Sequence, residues 1–263
     1  MSLRERYGDW ALIAGGSEGV GESFARQLAA QGFNLVLLAR KSAQLDALAQ
    51  SIRADTGREV RTLSLDLSRA DALAKARRLT DDVEIGMVVF NAGAGHTITD
   101  FHDIPLEDWL TTLNCNVMGQ TSFAHHYGAT MKRRGRGAIV LLASMAGLAG
   151  AARLAVYSAA KAYSIALAEA LWGELHPHGV DVLSLILGAT KTPAMARAGI
   201  ATDHPDFPGA NPDDVAAEGL AHLADGPVWV ASGLADNAHA LRSMPRRDAA
   251  RMMAEGTAKV SGE

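Results

Sequence analysis

Two neighbouring stretches decide the fold: Trp10-Ala-Leu-Ile-Ala-Gly15-Gly-Ser-Glu-Gly19-Val-Gly21 and Phe33-Asn-Leu-Val-Leu-Leu-Ala39-Arg40. Trp10 to Ala14 is an apolar run of strand length, and glycines follow it directly. Phe24, Ala25, Leu28 and Ala29 then recur at helical spacing, and Gly32 stands where a helix ends in a left-handed residue. Phe33 to Ala39 is a second, nearly continuous apolar strand. Strand, glycine turn, helix and strand in this order form a right-handed crossover that places the two strands parallel. Strands without polar alternation are buried on both faces.

The same rhythm continues outward. A helix carries Leu45, Leu48 and Ile52 on one face, and Val60–Leu65 and Ile85–Phe90 read as strands with a helix around Ala70 to Leu79 between them. Leu106 to Arg134 holds one long helical pattern. Ala138–Ala143 follows as a strand, Leu154 to Leu175 as a helix and Val180–Leu187 as a strand. The stretch 189–211 has no steady period and carries Thr192-Pro193 and the prolines 205 and 208, which suits a lid over a binding site. A helix from about Pro212, a short strand Val228–Val230 and a basic amphipathic segment, Leu241 to Met253, complete the pattern. The expectation is one α/β domain over residues 1–263, doubly wound, with a parallel sheet of about seven strands and helices on both faces.

Composition narrows the function. Of 263 residues 48% are hydrophobic and 21% charged, enough apolar surface for a substantial core. A net charge of −4 opposes a general nucleic-acid grip. The single cysteine, Cys115, has no partner for an internal disulfide, which fits a reducing, cytoplasmic setting. The first ten residues carry charges and no apolar core of a secretory signal, and the uncharged run Gly137 to Ala152, broken by glycines and a serine, is too short for a membrane span. No His, Cys and Asp grouping has metal-ligand spacing, so no metal is expected.

The glycine turn is the first candidate binding element. Gly15, Ser17, Gly19, Val20 and Gly21 give G-x-x-x-G-x-G at the opening of a helix, where glycine lets the backbone approach a pyrophosphate and the first-turn N–H groups meet its charge. An ordinary glycine-rich turn is the alternative. At the end of the second strand, where an acid would take the ribose 2′-hydroxyl of NAD, stands Leu38-Ala-Arg40-Lys41. Arg40 can pair with a 2′-phosphate, which favours NADP(H) over NAD(H) unless the turn is merely a solvated basic one. Glu18 lies close enough in sequence to oppose that phosphate. Asp66 and Leu67 follow the third strand, where the carboxylate could meet the adenine amino group. Asn91-Ala92-Gly93 follows the fourth, where small residues let a ribose pass; each is also at home in an ordinary loop.

A second constellation carries the chemistry. Tyr157 and Lys161 are four residues apart on one helical face. Four tyrosines and six lysines in 263 residues yield roughly 0.09 chance occurrences of this spacing. Ser144 ends the fifth strand thirteen residues earlier and can face the same helix. When a hydride moves between a nicotinamide and a carbonyl carbon, a proton must move at the oxygen. A phenol of pKa about 10 becomes a usable base only beside positive charge. Tyr157 as a core aromatic, Lys161 as a surface residue and Ser144 as a plain strand end are the structural alternatives.

With these motifs in place the chain resembles the short-chain dehydrogenase/reductase family, over Trp10 to about Pro193 and within the branch of hydroxysteroid dehydrogenases and β-ketoacyl reductases. The resemblance implies a single NAD(P)-binding Rossmann-fold domain. It also implies Tyr157 as acid/base, Lys161 on the nicotinamide ribose, and Ser144 on the carbonyl. Asn116 would hold a water in a relay to Lys161, and Thr192 would touch the carboxamide or pyrophosphate. Three positions depart from the family: Ala14 replaces the usual threonine, Leu187-Gly188 the usual Pro-Gly, and the carboxyl end lacks Asp-Gly-Gly. That ending supports tetramer contacts where present, so a homodimer through the two long helices is expected, with a tetramer as the alternative.

Met145, Leu148, Leu154, His96, Met195 and Ile200 are the expected pocket lining, which suits a hydrophobic ketone or alcohol. Arg153 and Lys191 leave a thioester open. The expected activity is therefore NADP(H)-dependent interconversion of a ketone and a secondary alcohol. The alternatives are a non-catalytic NADP sensor and a nucleotide-sugar epimerase, for which the segment after Pro193 is short.

Overall fold

The computed structural model describes residues 1–93, 98–204, 207 and 209–261. Seven strands form one parallel sheet in the order β3-β2-β1-β4-β5-β6-β7. They are β1 (Trp10–Ala14), β2 (Asn34–Ala39), β3 (Val60–Ser64), β4 (Ile85–Phe90), β5 (Gly137–Ser144), β6 (Val180–Leu187) and β7 (Val228–Val230). The doubly wound sheet is thus borne out.

Alternation along each strand divides the apolar residues between two faces. Ala11, Ile13, Leu35 and Leu37 point to one side and pack under α2 (Gly19–Ala30), α3 (Ser42–Thr56) and α9 (Pro212–Ala221), through Phe24, Leu28, Leu45 and Val215. Leu12, Ala14, Val36 and Leu38 point to the other and pack under α4 (Ala72–Thr80), α6 (Gln120–Arg134) and α7 (Ala155–Leu175), through Phe123, Tyr127 and Met131. Burial on both sides explains why the strands read as unbroken apolar runs.

Four local features differ from the sequence reading. A short helix α1 (Leu3–Tyr7) opens the chain; its signal was present in Ser2 and Glu5, which form a reciprocal capping box. The Tyr7 hydroxyl that follows donates to the buried Asp181 at 2.7 Å, so α1 is fastened beneath β6. The long pattern from Leu106 to Arg134 is not one helix: α5 (Leu106–Leu113) passes through a π-helical turn, Asn114–Gly119, into α6. Such turns insert an extra residue per turn and cluster at functional sites. In the expected lid, Thr192 caps a short helix α8 (Pro193–Arg197), and Thr190 bridges to Ala210; Pro205 and Pro208 lie outside the described residues. The carboxyl-terminal segment is two helices, α10 (Ala235–Ser243) and α11 (Arg246–Ser261), because Pro245 holds Met244 extended between them.

Candidate active site

In a parallel sheet every strand delivers its carboxyl end to the same edge, and a crevice opens where the strand order reverses. Here that point lies between β1 and β4. A cavity of about 460 Å³ runs along this edge, and residues from the ends of β1 to β6 line it.

The glycine turn forms one end. Gly15 has a left-handed backbone (φ +86°), and a Cβ there would come within 2.7 Å of the Ala92 nitrogen, so only glycine lets the two loops approach. Asn91 ties them together by donating from Nδ2 to the Gly15 carbonyl at 2.8 Å. Glu18 is the N-cap residue of α2 but makes no side-chain cap, so the first-turn N–H groups face the crevice uncapped by that side chain. An uncapped helix start beside a backbone that admits no Cβ fits a phosphate-bearing ligand.

Glu18 itself is neutralised. Its carboxylate pairs with Lys41 at 3.1 Å and with Arg197 of α8 at 3.0 Å. The Arg197 hydrogen bond in particular holds the carboxyl below its usual range, so Glu18 remains charged and matched. The expected opposition between Glu18 and a phosphate is therefore offset within the protein. Arg40 is exposed on the wall. Burial raises the Asp66 carboxyl, but the Ser68 hydroxyl (2.7 Å) and N–H (3.0 Å), with Arg40 and Arg69 nearby, bring it below its ordinary value. Ser17, Gly19, Val20, Leu67, Ala92, Gly93 and Thr192 line the same end.

Gly21 does not. A Cβ on Gly21 would stand 2.0 Å from the Gly15 carbonyl oxygen and 2.7 Å from Asn91 Nδ2, so this residue lets α2 lie against the turn and does not face the crevice.

At the other end Ser144, Tyr157, Lys161 and Asn116 meet on one wall. The Ser144 hydroxyl, held by the N–H of Ala146 at 3.2 Å, hydrogen-bonds to the Tyr157 phenol. Lys161 is buried, donates to the Leu142 carbonyl at 2.8 Å and lies 5.5 Å from the centre of the Tyr157 ring. Burial pushes its ammonium down to about 8. Burial also raises the Tyr157 phenol, against the opposing hydrogen bond from Ser144. The expected depression by the neighbouring ammonium is not supplied by the chain alone: desolvation wins, and the phenol is held protonated.

Asn116 sits in the π-helical turn. Its Nδ2 donates to the Thr112 carbonyl at 3.0 Å, while its buried Oδ1 has no partner among the described residues and closely abuts Gly93, where a Cβ would come within 2.0 Å.

Of the expected pocket residues, Met145, Leu154, Met195 and Ile200 line the cavity. Leu148 does not: it is buried in an apolar cluster beneath α10 and α11. Arg153 and Lys191 are also absent from the wall, Arg153 being engaged with the Ile98 carbonyl at 3.2 Å. His96 lies outside the described residues. The wall also includes residues the sequence reading missed: Ile98, Thr111, Thr112, Cys115, Arg197 and, from α11, Met253, Gly256 and Thr257. The spacing of the last three, i, i+3 and i+4, is one helical face, a signal the sequence already held.

The sequence model of the family described as short chain dehydrogenase matches residues 9–202. The chain is similar to a 7beta-hydroxysteroid dehydrogenase of Clostridium sardiniense, 30% identical over 239 residues and 89% of each protein. A solved structure from work on 7beta-hydroxysteroid dehydrogenase stereoselectivity superposes with a TM-score of 0.89 at 29% identity, covering 96% of this chain and 99% of the other. A short-chain dehydrogenase from Sphingobium yanoikuyae in complex with NADPH superposes with a TM-score of 0.80 at 31% identity, covering 93% and 94%. The glycine turn, the Tyr-x-x-x-Lys pair and six of the seven strands thus fall within the matched stretch, and the chain belongs to the short chain dehydrogenase family of oxidoreductases.

Proposed function

We propose that this protein reduces an apolar ketone, or oxidises the matching secondary alcohol, with NADP(H), and that Tyr157 moves the proton. The observation that carries this reading is the convergence of Ser144, Tyr157 and Lys161 at one end of the crevice whose other end is the glycine turn and Arg40. A nicotinamide cofactor bound along that crevice supplies or accepts the hydride. Gly15, Ser17, Gly19 and Val20 would cradle its pyrophosphate, Arg40 its 2′-phosphate, Asp66 and Leu67 its adenine, and Asn91, Ala92, Gly93 and Thr192 its nicotinamide half.

Ser144 would hold the carbonyl oxygen by a hydrogen bond, and Tyr157, kept protonated by burial, would donate to that oxygen as negative charge develops. Lys161 would sit on the ribose hydroxyls and take up a proton from a water held by Asn116, passing it inward. A single basic side chain fits one phosphate, and the relative solved with NADPH supports the same choice. Met145, Leu154, Met195 and Ile200 supply the apolar lining, and the relatives named 7beta-hydroxysteroid dehydrogenase support a bulky, hydrophobic carbonyl. A homodimer, a cytoplasmic setting and a lid over 189–211 complete the proposal.

The experiment follows nicotinamide absorbance with NADPH against a panel holding a 7-oxo steroid, a long-chain 3-oxoacyl thioester and simple ketones. Turnover of at least one apolar ketone is expected, with a preference for NADPH over NADH that Arg40→Asp reverses. NADPH binding with no turnover across the panel contradicts catalysis and leaves the sensor; an unaltered cofactor ratio in the variant contradicts the role of Arg40.

A further inference from the structure

The carboxyl-terminal helix is fastened to the loop that follows Ser144. Both terminal nitrogens of Arg246 donate to the Leu148 carbonyl at 3.1 Å, and Ala249, one turn on, is completely buried in the cluster formed by Leu148, Ile165 and Ile186. Met253 packs on the edge of that cluster and also lines the cavity; Gly256 and Thr257 follow on the same face. The helix therefore begins as core and ends as cavity wall.

Gly256 is an unusual residue for that wall. It is the eleventh residue of α11, well inside the helix, where glycine is the poorest former after proline. Other helical glycines differ among themselves: a Cβ on Gly219 would meet Leu185 Cδ2 at 2.7 Å and one on Gly128 would meet Ile139 Cδ1 at 3.3 Å, whereas one on Gly173 of α7 would meet nothing within 4 Å. A Cβ on Gly256 would meet nothing within 4 Å. Unlike Gly173, the exposed Gly256 borders the cavity. Its neighbour Thr257 donates its hydroxyl hydrogen to the Met253 carbonyl at 2.9 Å, so that hydrogen is engaged within the helix.

We propose that Gly256 determines substrate size: the missing side chain recesses the wall so that the far end of a multi-ring apolar ketone passes across α11. This rests on the ketone-reducing reading above. The helix forgoes the better propensity of alanine at this position to keep the recess.

The test compares Gly256→Leu and Gly256→Ala with wild type, using a four-ring ketone and cyclohexanone as probes, and takes Glu255→Leu, on the same turn but not among the cavity-lining residues, as control. Gly256→Leu is expected to lower the ratio of kcat/KM for the four-ring ketone over cyclohexanone by about tenfold or more. Gly256→Ala lowers it less while raising the melting temperature, which separates substrate exclusion from damage to the fold; it also serves if the leucine variant does not fold. A ratio that falls no further in the Gly256 variants than in Glu255→Leu overturns the proposal. So does a wild-type enzyme that turns over cyclohexanone alone. A wild-type enzyme that turns over neither ketone overturns the reading beneath it, and the proposal with it.

Discussion

Lys161 is a cation held in a nearly dry place. Its ammonium reaches the Leu142 carbonyl on the cavity wall, the residue is buried, and desolvation lowers its affinity for a proton to about 8. A depressed folded-state value has a definite sign. Below about pH 8 both folded and unfolded chains carry the charge, and the fold bears the whole cost of burying it. Between about 8 and the ordinary value of 10.5 the folded chain releases the proton first, so stability contributed by this residue rises with pH. In the cofactor-free protein, the unfolding free energy of wild type relative to Lys161→Met is expected to rise by about 3 kcal/mol across that window. A flat difference in denaturant titrations contradicts a desolvated ammonium. The same burial leaves Tyr157 protonated, the form needed to donate a proton in reduction. The pair itself was legible from the sequence spacing. The direction of the phenol's shift was not, because it depends on how much water the folded cavity removes.

At the scale of elements, the turn joining β1 to α2 shows what a motif does and does not disclose. Gly15 and Gly19 have left-handed backbones and line the crevice, whereas Gly21 lets the start of α2 contact the Gly15 carbonyl. Gly21→Ala is therefore expected to cost about 2–3 kcal/mol of stability and to weaken NADPH and NADH alike. Selective loss of NADPH binding with an unaltered melting temperature contradicts this division of roles. The strands were legible as apolar runs and the crossover helices as 3.6-residue patterns, because each buries its own repeat. The π-helical turn at Asn114–Gly119 was not, since it differs from the helices on either side in hydrogen-bond register and not in residue type. The break at Pro245 was hidden for the opposite reason: both α10 and α11 carry basic residues, and the pattern runs across the joint.

For the whole molecule, the seven-stranded sheet and its switch point followed from the order of elements, and the crevice from the switch point. The contribution of α11 did not, because a helix more than a hundred residues from Ser144 reaches the cavity only through tertiary packing. The outer surface carries a further consequence. Leu106, Leu110 and Met118, on α5 and the π-helical turn, are 60%, 46% and 59% exposed, an apolar group on a face the homodimer proposal would cover. Wild type is expected to sediment as a dimer, and Leu110→Glu to raise the dissociation constant by about tenfold or more. A monomeric wild type at micromolar concentration contradicts the proposal.

The most direct measurement is a single-turnover reduction by Tyr157→Phe with saturating NADPH and the ketone that wild type turns over best. The variant is expected to bind NADPH within about threefold of wild type, because the phenol oxygen is not part of the phosphate cradle. It is expected to lose on the order of 10²–10⁴ in rate, because no other described group hydrogen-bonded to Ser144 can supply the proton. A rate within about tenfold of wild type would show that the proton comes from elsewhere and would contradict the account.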